Sequence, residues 1–161
     1  MAASLLPPAT PADRALVLFS GGQDSTTCLF WAMHHFETVH ALGFDYGQKH
    51  RVELEQAQSI AAGAGVPFEV LDVTGTLGGS ALTEYDKDVS AAHEKDGNLP
   101  ASFVPGRNAL FLSLAASHAY RDDVTDLVGG MCQTDYSGYP DCRRTFIDAM
   151  VTSLSLALDA D

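Results

Sequence analysis

The sequence predicts an α/β protein with a doubly wound parallel sheet and helices on both faces. Three observations support this: apolar runs of strand length alternate with amphipathic helical segments, the first connections are short, and the first one is rich in glycine. Hydrophobic residues occupy 46% of the 161 positions and charged residues 19%, which favours a single core over disorder. We therefore expect one domain over residues 14–161, preceded by a flexible, proline-containing tail over residues 1–13.

The first five elements follow one another closely. Their hydrophobic periodicity predicts strand 15–19, helix 24–36, strand 38–44, helix 50–63 and strand 67–73. Glycines, charges and single apolar residues then fill residues 75–102, a length that predicts a loop or lid over the site.

The alternation resumes after this loop. We predict helix 108–120, strand 125–130 and helix 141–158. The last helix should present one apolar face, made by Phe146, Ile147, Met150, Val151, Leu154 and Leu158.

The connection after the first strand has the pattern of a phosphate site. Ser20-Gly21-Gly22-Gln23-Asp24-Ser25 leads from the strand directly into a helix. Two adjacent glycines permit a tight turn in which several backbone N–H groups point at one anion, at the positive end of the helix dipole. No lysine follows, unlike in a P-loop, and this suits a pyrophosphate that leaves rather than a phosphoryl group that is transferred. The alternative is an ordinary turn with a helix N-cap.

Cationic residues cluster at three turns although the chain carries a formal net charge of −12. Five of the nine Lys and Arg residues lie there: Lys49, Arg51, Arg107, Arg143 and Arg144. The helix dipole disfavours a cation at a helix N-terminus, so Arg107, Arg143 and Arg144 predict an anionic ligand, with Asp141 able to cap the last helix. Alternatively, Arg107 pairs with Asp45 or Asp135, and the other two arginines point into water.

The composition of the chain limits the classes of partner that it can bind. An acidic chain repels a phosphate backbone, which argues against nucleic acid, and no apolar run is long enough to cross a bilayer. Cys28, Cys132 and Cys142 form neither a disulfide framework nor a C-x-x-C pair, so we expect a reducing cytoplasm. A small-molecule substrate is the remaining class.

Polar loops should converge at one edge of the sheet, because ligands of open parallel sheets bind beyond the carboxyl ends of the strands. Asp45, Tyr46 and Gln48 follow the second strand. Tyr136 and Tyr139 follow the fourth and are able to stack on a planar ring.

These motifs together resemble a known family. The Ser20–Ser25 segment is similar to the loop of the ATP pyrophosphatases, which several enzyme families share. Three further strings resemble the 7-cyano-7-deazaguanine synthase family, and the match spans almost everything from Arg14 onward. The strings are Phe44-Asp45-Tyr46-Gly47-Gln48, Phe103-Val104-Pro105-Gly106-Arg107-Asn108 and Thr134-Asp135-Tyr136-Ser137-Gly138-Tyr139-Pro140-Asp141-Cys142-Arg143.

The resemblance implies a fold like that of the adenine nucleotide alpha hydrolases and an ATP-dependent carbon–nitrogen ligase. Such an enzyme converts 7-carboxy-7-deazaguanine and ammonia to the nitrile through an acyl adenylate and an amide, on the route to queuosine. Each of the two dehydrations uses one ATP.

The resemblance also implies the site residues. ATP would be held by Phe19, Ser20, Gly21, Gly22, Gln23, Asp24, Ser25, Thr26, Thr27, Cys28 and Leu29, with Asp24 helping to place Mg²⁺. The deazapurine and its carboxylate would contact Asp45, Tyr46, Gln48, Arg107, Asn108, Asp135, Tyr136, Tyr139, Asp141 and Arg143. The catalytic residues would be Ser20, Asp24, Ser25, Arg107 and Arg143.

One departure concerns zinc. The family carries four zinc-binding cysteines near its C-terminus, whereas this chain stops at Asp161 before any such segment, so the resemblance implies a C-terminally truncated fold without zinc ligands. It also implies a homo-oligomer. Two other functions stay open: a sulfur-transferring pyrophosphatase acting on tRNA, with Cys132 or Cys142 as the persulfide carrier, and an inactive nucleotide-binding fragment.

Overall fold

The computed structural model describes residues 14–47, 52–77, 103–133 and 139–159. The predictions for the tail, for residues 78–102 of the lid, and for Gln48, Asp135 and Tyr136 lie outside the described residues. Among the described helices, none has the length and apolar character needed to cross a membrane. The elements in chain order are β1 (Arg14–Leu18), α1 (Gln23–His35), β2 (Thr38–Asp45), α2 (Val52–Ala64), β3 (Phe68–Asp72), α3 (Arg107–Arg121), β4 (Asp126–Val128), a 3₁₀ turn (Pro140–Cys142) and α4 (Arg144–Leu158).

The four described strands form one parallel sheet in the order β3-β2-β1-β4. The chain first builds outward from β1 to β2 and β3, and then returns to place β4 on the other side of β1. The direction of winding therefore changes between β1 and β4. In an open α/β sheet, the crevice beyond the carboxyl ends of the strands at this switch point is where ligands bind.

Helices cover both faces of the sheet. On one face, Val17 and Phe19 pack with Leu29 of α1 and Ala57 of α2. On the other, Leu42 and Phe44 pack with alanines of α3. Small side chains at the buried helix positions bring the helix backbones close to the strands. The predicted doubly wound α/β fold is confirmed.

The bounds of the first seven predicted elements agree with the structure to within two residues at each end. The end of α3 shows why such boundaries can be predicted from the sequence. Asp123 adopts a left-handed conformation with φ of 54°, and the N–H of Val124 donates to the carbonyl of Ala119 at 2.9 Å. Such an ending occurs at many helix C-termini and is favoured by short polar side chains such as Asp.

The predicted helix 141–158 is wrong at its N-terminus. Asp141 lies in the separate 3₁₀ turn, and Arg143 has an extended backbone with ψ of 146°, so α4 begins only at Arg144. Asp141 therefore does not cap α4. Instead, the side-chain oxygen of Gln133 accepts from the backbone N–H of Arg144 at 2.9 Å.

α4 is the least covered of the described helices. None of its residues is buried, and Phe146, Ile147, Met150, Leu154 and Leu158 are only half-buried. Val151, expected on the same apolar face, is 59% exposed. α4 contacts α3 and the 3₁₀ turn, which ties the C-terminal part of the described chain to the same edge as the switch point.

The loop between β1 and α1 lies directly against α2. Gly21 has a φ of +79°, and a Cβ built on it would stand 2.9 Å from the backbone nitrogen of Ala57 and 3.0 Å from its Cα. Both the left-handed conformation and the close approach require glycine.

We predict that G21A destabilises the protein more than G65A does. Gly65 has a φ of +72°, but a Cβ there meets no atom within 4 Å, so G65A reports the conformational cost alone. That cost is about 1–2 kcal/mol, and the clash with α2 should add about 1–3 kcal/mol in G21A. Urea denaturation of both variants measures the difference. Equal losses would show that the loop does not depend on contact with α2.

Candidate functional site

A cavity of about 440 Å³ opens at the switch point. Four parts of the chain line it. They are the β1–α1 loop with the start of α1, the end of β2 with Glu53 and Leu54 of α2, the first two turns of α3, and the segments after β4. The last two contribute Arg107, Asn108, Phe111, Gly130, Met131, Cys132, Tyr139 and Cys142.

Two serine hydroxyls hold the shape of the glycine loop. The Oγ of Ser25 donates to the carbonyl of Gly22 at 3.1 Å and accepts from the N–H of Ser20 at 3.3 Å, while the two serine Oγ atoms lie 3.2 Å apart. The N–H of Gly22 donates to the Oγ of Ser20 at 3.4 Å. Because the hydroxyl of Ser25 is buried and engaged within the loop, its direct effect is on loop geometry.

The N-terminus of α1 has no side-chain cap among the described residues. Its N-cap is Gly22, and the first helical bond runs from the N–H of Thr26 to the carbonyl of Gly22 at 2.9 Å. The first N–H groups of a helix carry the positive end of its dipole and need a partner. An ordinary N-capped turn is therefore not what the structure contains, and the helix end is suited to an anion from the cavity.

The eleven residues expected to hold ATP separate into two groups. Phe19, Ser20, Gly22, Gln23, Asp24 and Ser25 line the cavity, whereas Gly21, Thr26, Thr27, Cys28 and Leu29 do not. Gly21 acts through backbone conformation, the hydroxyl of Thr27 donates back to the carbonyl of Gln23 at 2.9 Å, and Leu29 is fully buried. Burial, and then the Asp24 carboxylate, raise the pKa of the Cys28 thiol, which keeps it protonated and suits packing rather than nucleophilic chemistry.

Asp24 is exposed and stands at the mouth of the loop. A Cβ on Gly130 would lie 3.1 Å from the Cβ of Asp24 and 3.3 Å from the nitrogen of Ser25, so the segment after β4 packs closely on the first turn of α1. No group of three or more His, Cys, Asp or Glu side chains suited to a metal occurs in the described part of the chain. One carboxylate beside a helix N-terminus suited to phosphates does fit Mg²⁺, which is commonly held by one or two carboxylates and the phosphates of the substrate.

Aromatic rings form one wall of the cavity. Phe44 and Phe111 stack with centroids 4.1 Å apart and ring planes within 4°, and Tyr46 lies 5.6 Å from Phe111. Tyr139 packs against Phe103 at 5.4 Å. The sequence predicted Tyr46 and Tyr139 but missed Phe111. The signal for Phe111 was its spacing, because a residue four positions after Arg107 lies on the same face of α3.

Arg107 lines the cavity and is half-buried. The proposed alternative, an ion pair with Asp45, does not form between these two described residues; Asp45 instead accepts from the N–H of Gly47 at 3.0 Å. Arg143 is exposed and lies outside the cavity lining, and Arg144 pairs with Asp148 at 2.7 Å. Of the three arginines expected to bind an anion, the structure brings only Arg107 to the cavity.

Asn108 and Asp141 meet each other. The backbone N–H of Asn108 donates to Oδ2 of Asp141 at 3.1 Å, and its side-chain Nδ2 donates to the carbonyl of Asp141 at 3.0 Å. Asn108 also reaches the cavity wall, whereas Asp141 does not. Further cavity residues that the sequence did not single out as site residues are Leu18, Phe44, Glu53, Leu54, Gly130 and Met131, and Cys132 and Cys142, which it named only as persulfide carriers, also line the cavity.

Comparison with known proteins identifies the family. Residues 14–161 match the model of the family described as queuosine biosynthesis protein QueC. The chain is 50% identical over 160 residues to a 7-cyano-7-deazaguanine synthase of Wolinella succinogenes, covering 98% of this chain and 69% of that protein. It is 54% identical over 149 residues to the synthase of Bacteroides fragilis, covering 91% and 68%, and 48% identical over 151 residues to that of Staphylococcus saprophyticus, covering 92% and 66%.

A solved structure shares the fold. A chain described as a predicted subunit of tRNA methyltransferase from Methanocaldococcus jannaschii superposes with a TM-score of 0.53 at 15% identity, covering 91% of this chain and 64% of that one. At such low identity the likeness concerns the architecture alone. The family match and the curated relatives settle the relationship: the chain belongs to the queuosine biosynthesis protein QueC family of enzymes.

Proposed function

We propose that the chain uses ATP to convert 7-carboxy-7-deazaguanine and ammonia into 7-cyano-7-deazaguanine, through an acyl adenylate and then an amide. One observation carries the proposal: Arg107, several aromatic residues and the N-terminus of α1, which no side chain of the described residues caps, border the same cavity. That cavity therefore combines a site for phosphates, a cation for a second anion and a surface for a planar ring.

The triphosphate would lie on the β1–α1 loop. Backbone N–H groups at the start of α1 and the hydroxyl of Ser20 are its donors, and Ser25 keeps the loop in shape. Asp24 would hold Mg²⁺, which when bound offsets the charge of the phosphates. Gly21 and Gly130 contribute by having no side chain where the loop meets α2 and where the segment after β4 meets α1.

The first half of the reaction activates the acid. A carboxylate oxygen of the substrate attacks the α-phosphorus, the bond to the pyrophosphate breaks, and pyrophosphate leaves. Ammonia then attacks the acyl carbon and AMP departs with that oxygen, which leaves the amide. The protein's main contribution is electrostatic, because fixed donors aimed at the developing charge are worth more in a partly enclosed site than in water.

The second half repeats this chemistry on the amide. Its oxygen attacks the α-phosphorus of a second ATP and pyrophosphate leaves. Loss of both protons from nitrogen and departure of AMP then give the nitrile. Arg107 would orient the substrate carboxylate first and the amide oxygen afterwards, since both occupy the same position relative to the ring. Tyr46, Phe111 and Tyr139 would contact the planar deazapurine.

The remaining expectations stay predictions. They are that Asp45, Gln48, Asp135, Tyr136 and Arg143 also contact the substrate, that the chain self-associates, and that it works in the cytoplasm.

We predict that R107A lowers kcat/KM for nitrile formation by about 100-fold, since loss of one charged donor to the reacting group typically costs that much. R121A is the matched control, because Arg121 ends the same helix and pairs with Asp122 at 3.0 Å, away from the cavity. AMP and the nitrile are followed together by mass spectrometry. Equal activity of R107A and R121A would contradict the assigned role of Arg107.

A sulfur-transferring reaction is the second candidate, because Cys132 and Cys142 both line the cavity. The two reactions differ in their need for a thiol. A persulfide carrier loses all activity when its sulfur is replaced, whereas adenylation of a carboxylate uses no thiol.

We therefore predict that C132S and C142S each keep nitrile formation within about threefold of the unaltered protein, because serine preserves size and hydrogen bonding. Loss of all product in either variant, with AMP release retained, would favour sulfur transfer. The third reading, an inactive nucleotide-binding fragment, would bind ATP and release no AMP with any acid.

A further inference from the structure

In the described part of the chain, the N-cap residue of α3 supplies no side-chain hydrogen bond to its first turn. Its N-cap, Gly106, has a φ of +73° and no side chain, and the first helical bond runs from the N–H of Leu110 to the carbonyl of Gly106 at 3.0 Å. The amides before Leu110 need partners from elsewhere, because the first N–H groups of a helix have none within it. This turn carries Arg107 and Asn108 to the cavity.

Asp141 supplies such a partner from 33 residues further along the chain. Its Oδ2 accepts from the N–H of Asn108 at 3.1 Å, and the residue is only 7% exposed. A carboxylate at this position both satisfies an amide and faces the positive end of the α3 dipole.

The side chain of Asn108 in turn donates hydrogen bonds to the 3₁₀ turn. Its Nδ2 donates to the carbonyl of Asp141 at 3.0 Å and to Sγ of Cys142 at 3.4 Å, and the residue is 8% exposed. We name the contacts between Asn108, Asp141 and Cys142 the α3 latch. The α3 latch joins the start of α3 to the 3₁₀ turn, so it fixes two walls of the cavity relative to each other.

We propose that Asp141 is a positioning residue that acts through the α3 latch and does not contact the substrate. It holds the first turn of α3 so that Arg107 and Asn108 face the cavity, while Asp141 itself lies outside the lining. The consequence for catalysis rests on the proposed function, whereas the consequence for α3 does not.

Two variants distinguish the hydrogen-bond acceptor of Asp141 from its charge. D141N keeps a carbonyl oxygen that accepts from the N–H of Asn108, and D141A removes the acceptor. D148A is the matched control, because Asp148 is an exposed carboxylate on α4 that pairs with Arg144. Near-ultraviolet circular dichroism and urea denaturation show whether each variant is folded.

The first readout needs no ligand. Amide hydrogen exchange of residues 107–110 should become about fivefold faster in D141A, the effect of losing one N-cap, and change by less than about twofold in D141N and D148A. Unchanged exchange in folded D141A would overturn the proposal. If D141A does not fold, D141N provides the test. The α3 latch predicts that its amides exchange as slowly as in the unaltered protein. Exchange about fivefold faster in D141N would contradict the α3 latch.

The second readout is kinetic. Misplacement of Arg107 should lower kcat in D141A by about tenfold or more with KM for the acid within about threefold, and D141N should recover most of kcat. A direct contact between Asp141 and the substrate would instead raise KM for the acid equally in D141A and D141N, which would overturn the positioning role. If the unaltered protein forms no AMP or nitrile, the proposed function fails, and the exchange measurement still decides whether Asp141 holds α3.

Discussion

The site depends on one close approach of backbone to backbone. At Gly21 the chain leaves β1 in a left-handed conformation and touches the backbone of α2 at Ala57, which leaves no room for a side chain. This contact sets the direction in which α1 begins, and Ser20 and Ser25 then hold the loop with their hydroxyls. The N-terminus of α1 is consequently aimed at the switch point, and no side chain of the described residues caps it, an arrangement that suits an anion.

The rest of the cavity is arranged around this helix end by the order of the strands. Because β4 returns beside β1, the segment after β4 packs on the first turn of α1 through Gly130. α3 covers the opposite face and brings Arg107 and Phe111 to the same opening. Arg107 and the stacked rings of Phe44 and Phe111 therefore line the same cavity as the start of α1.

Much of this could be predicted from the sequence because its local signals agree with one another. Alternating periodicity located seven elements, and the two glycines after β1 indicated the loop. The final helix could not be predicted correctly. The sequence suggested Asp141 as the cap of the last helix, but its carboxylate accepts from the N–H of Asn108, and only tertiary structure reveals that partner. The exposure of Arg143 and the stacking of Phe44 on Phe111 could not be predicted either, because both follow from packing between distant segments.

The central claim is that the acid loses both of its oxygens to AMP. The most direct test is to supply 7-carboxy-7-deazaguanine labelled with ¹⁸O in its carboxylate, together with ATP, Mg²⁺ and ammonia. The masses of the products are then measured by mass spectrometry. The account predicts nitrile without oxygen label and two AMP molecules per nitrile, each with one ¹⁸O atom. Label in inorganic phosphate with formation of ADP, or nitrile formed with unlabelled AMP, would contradict it.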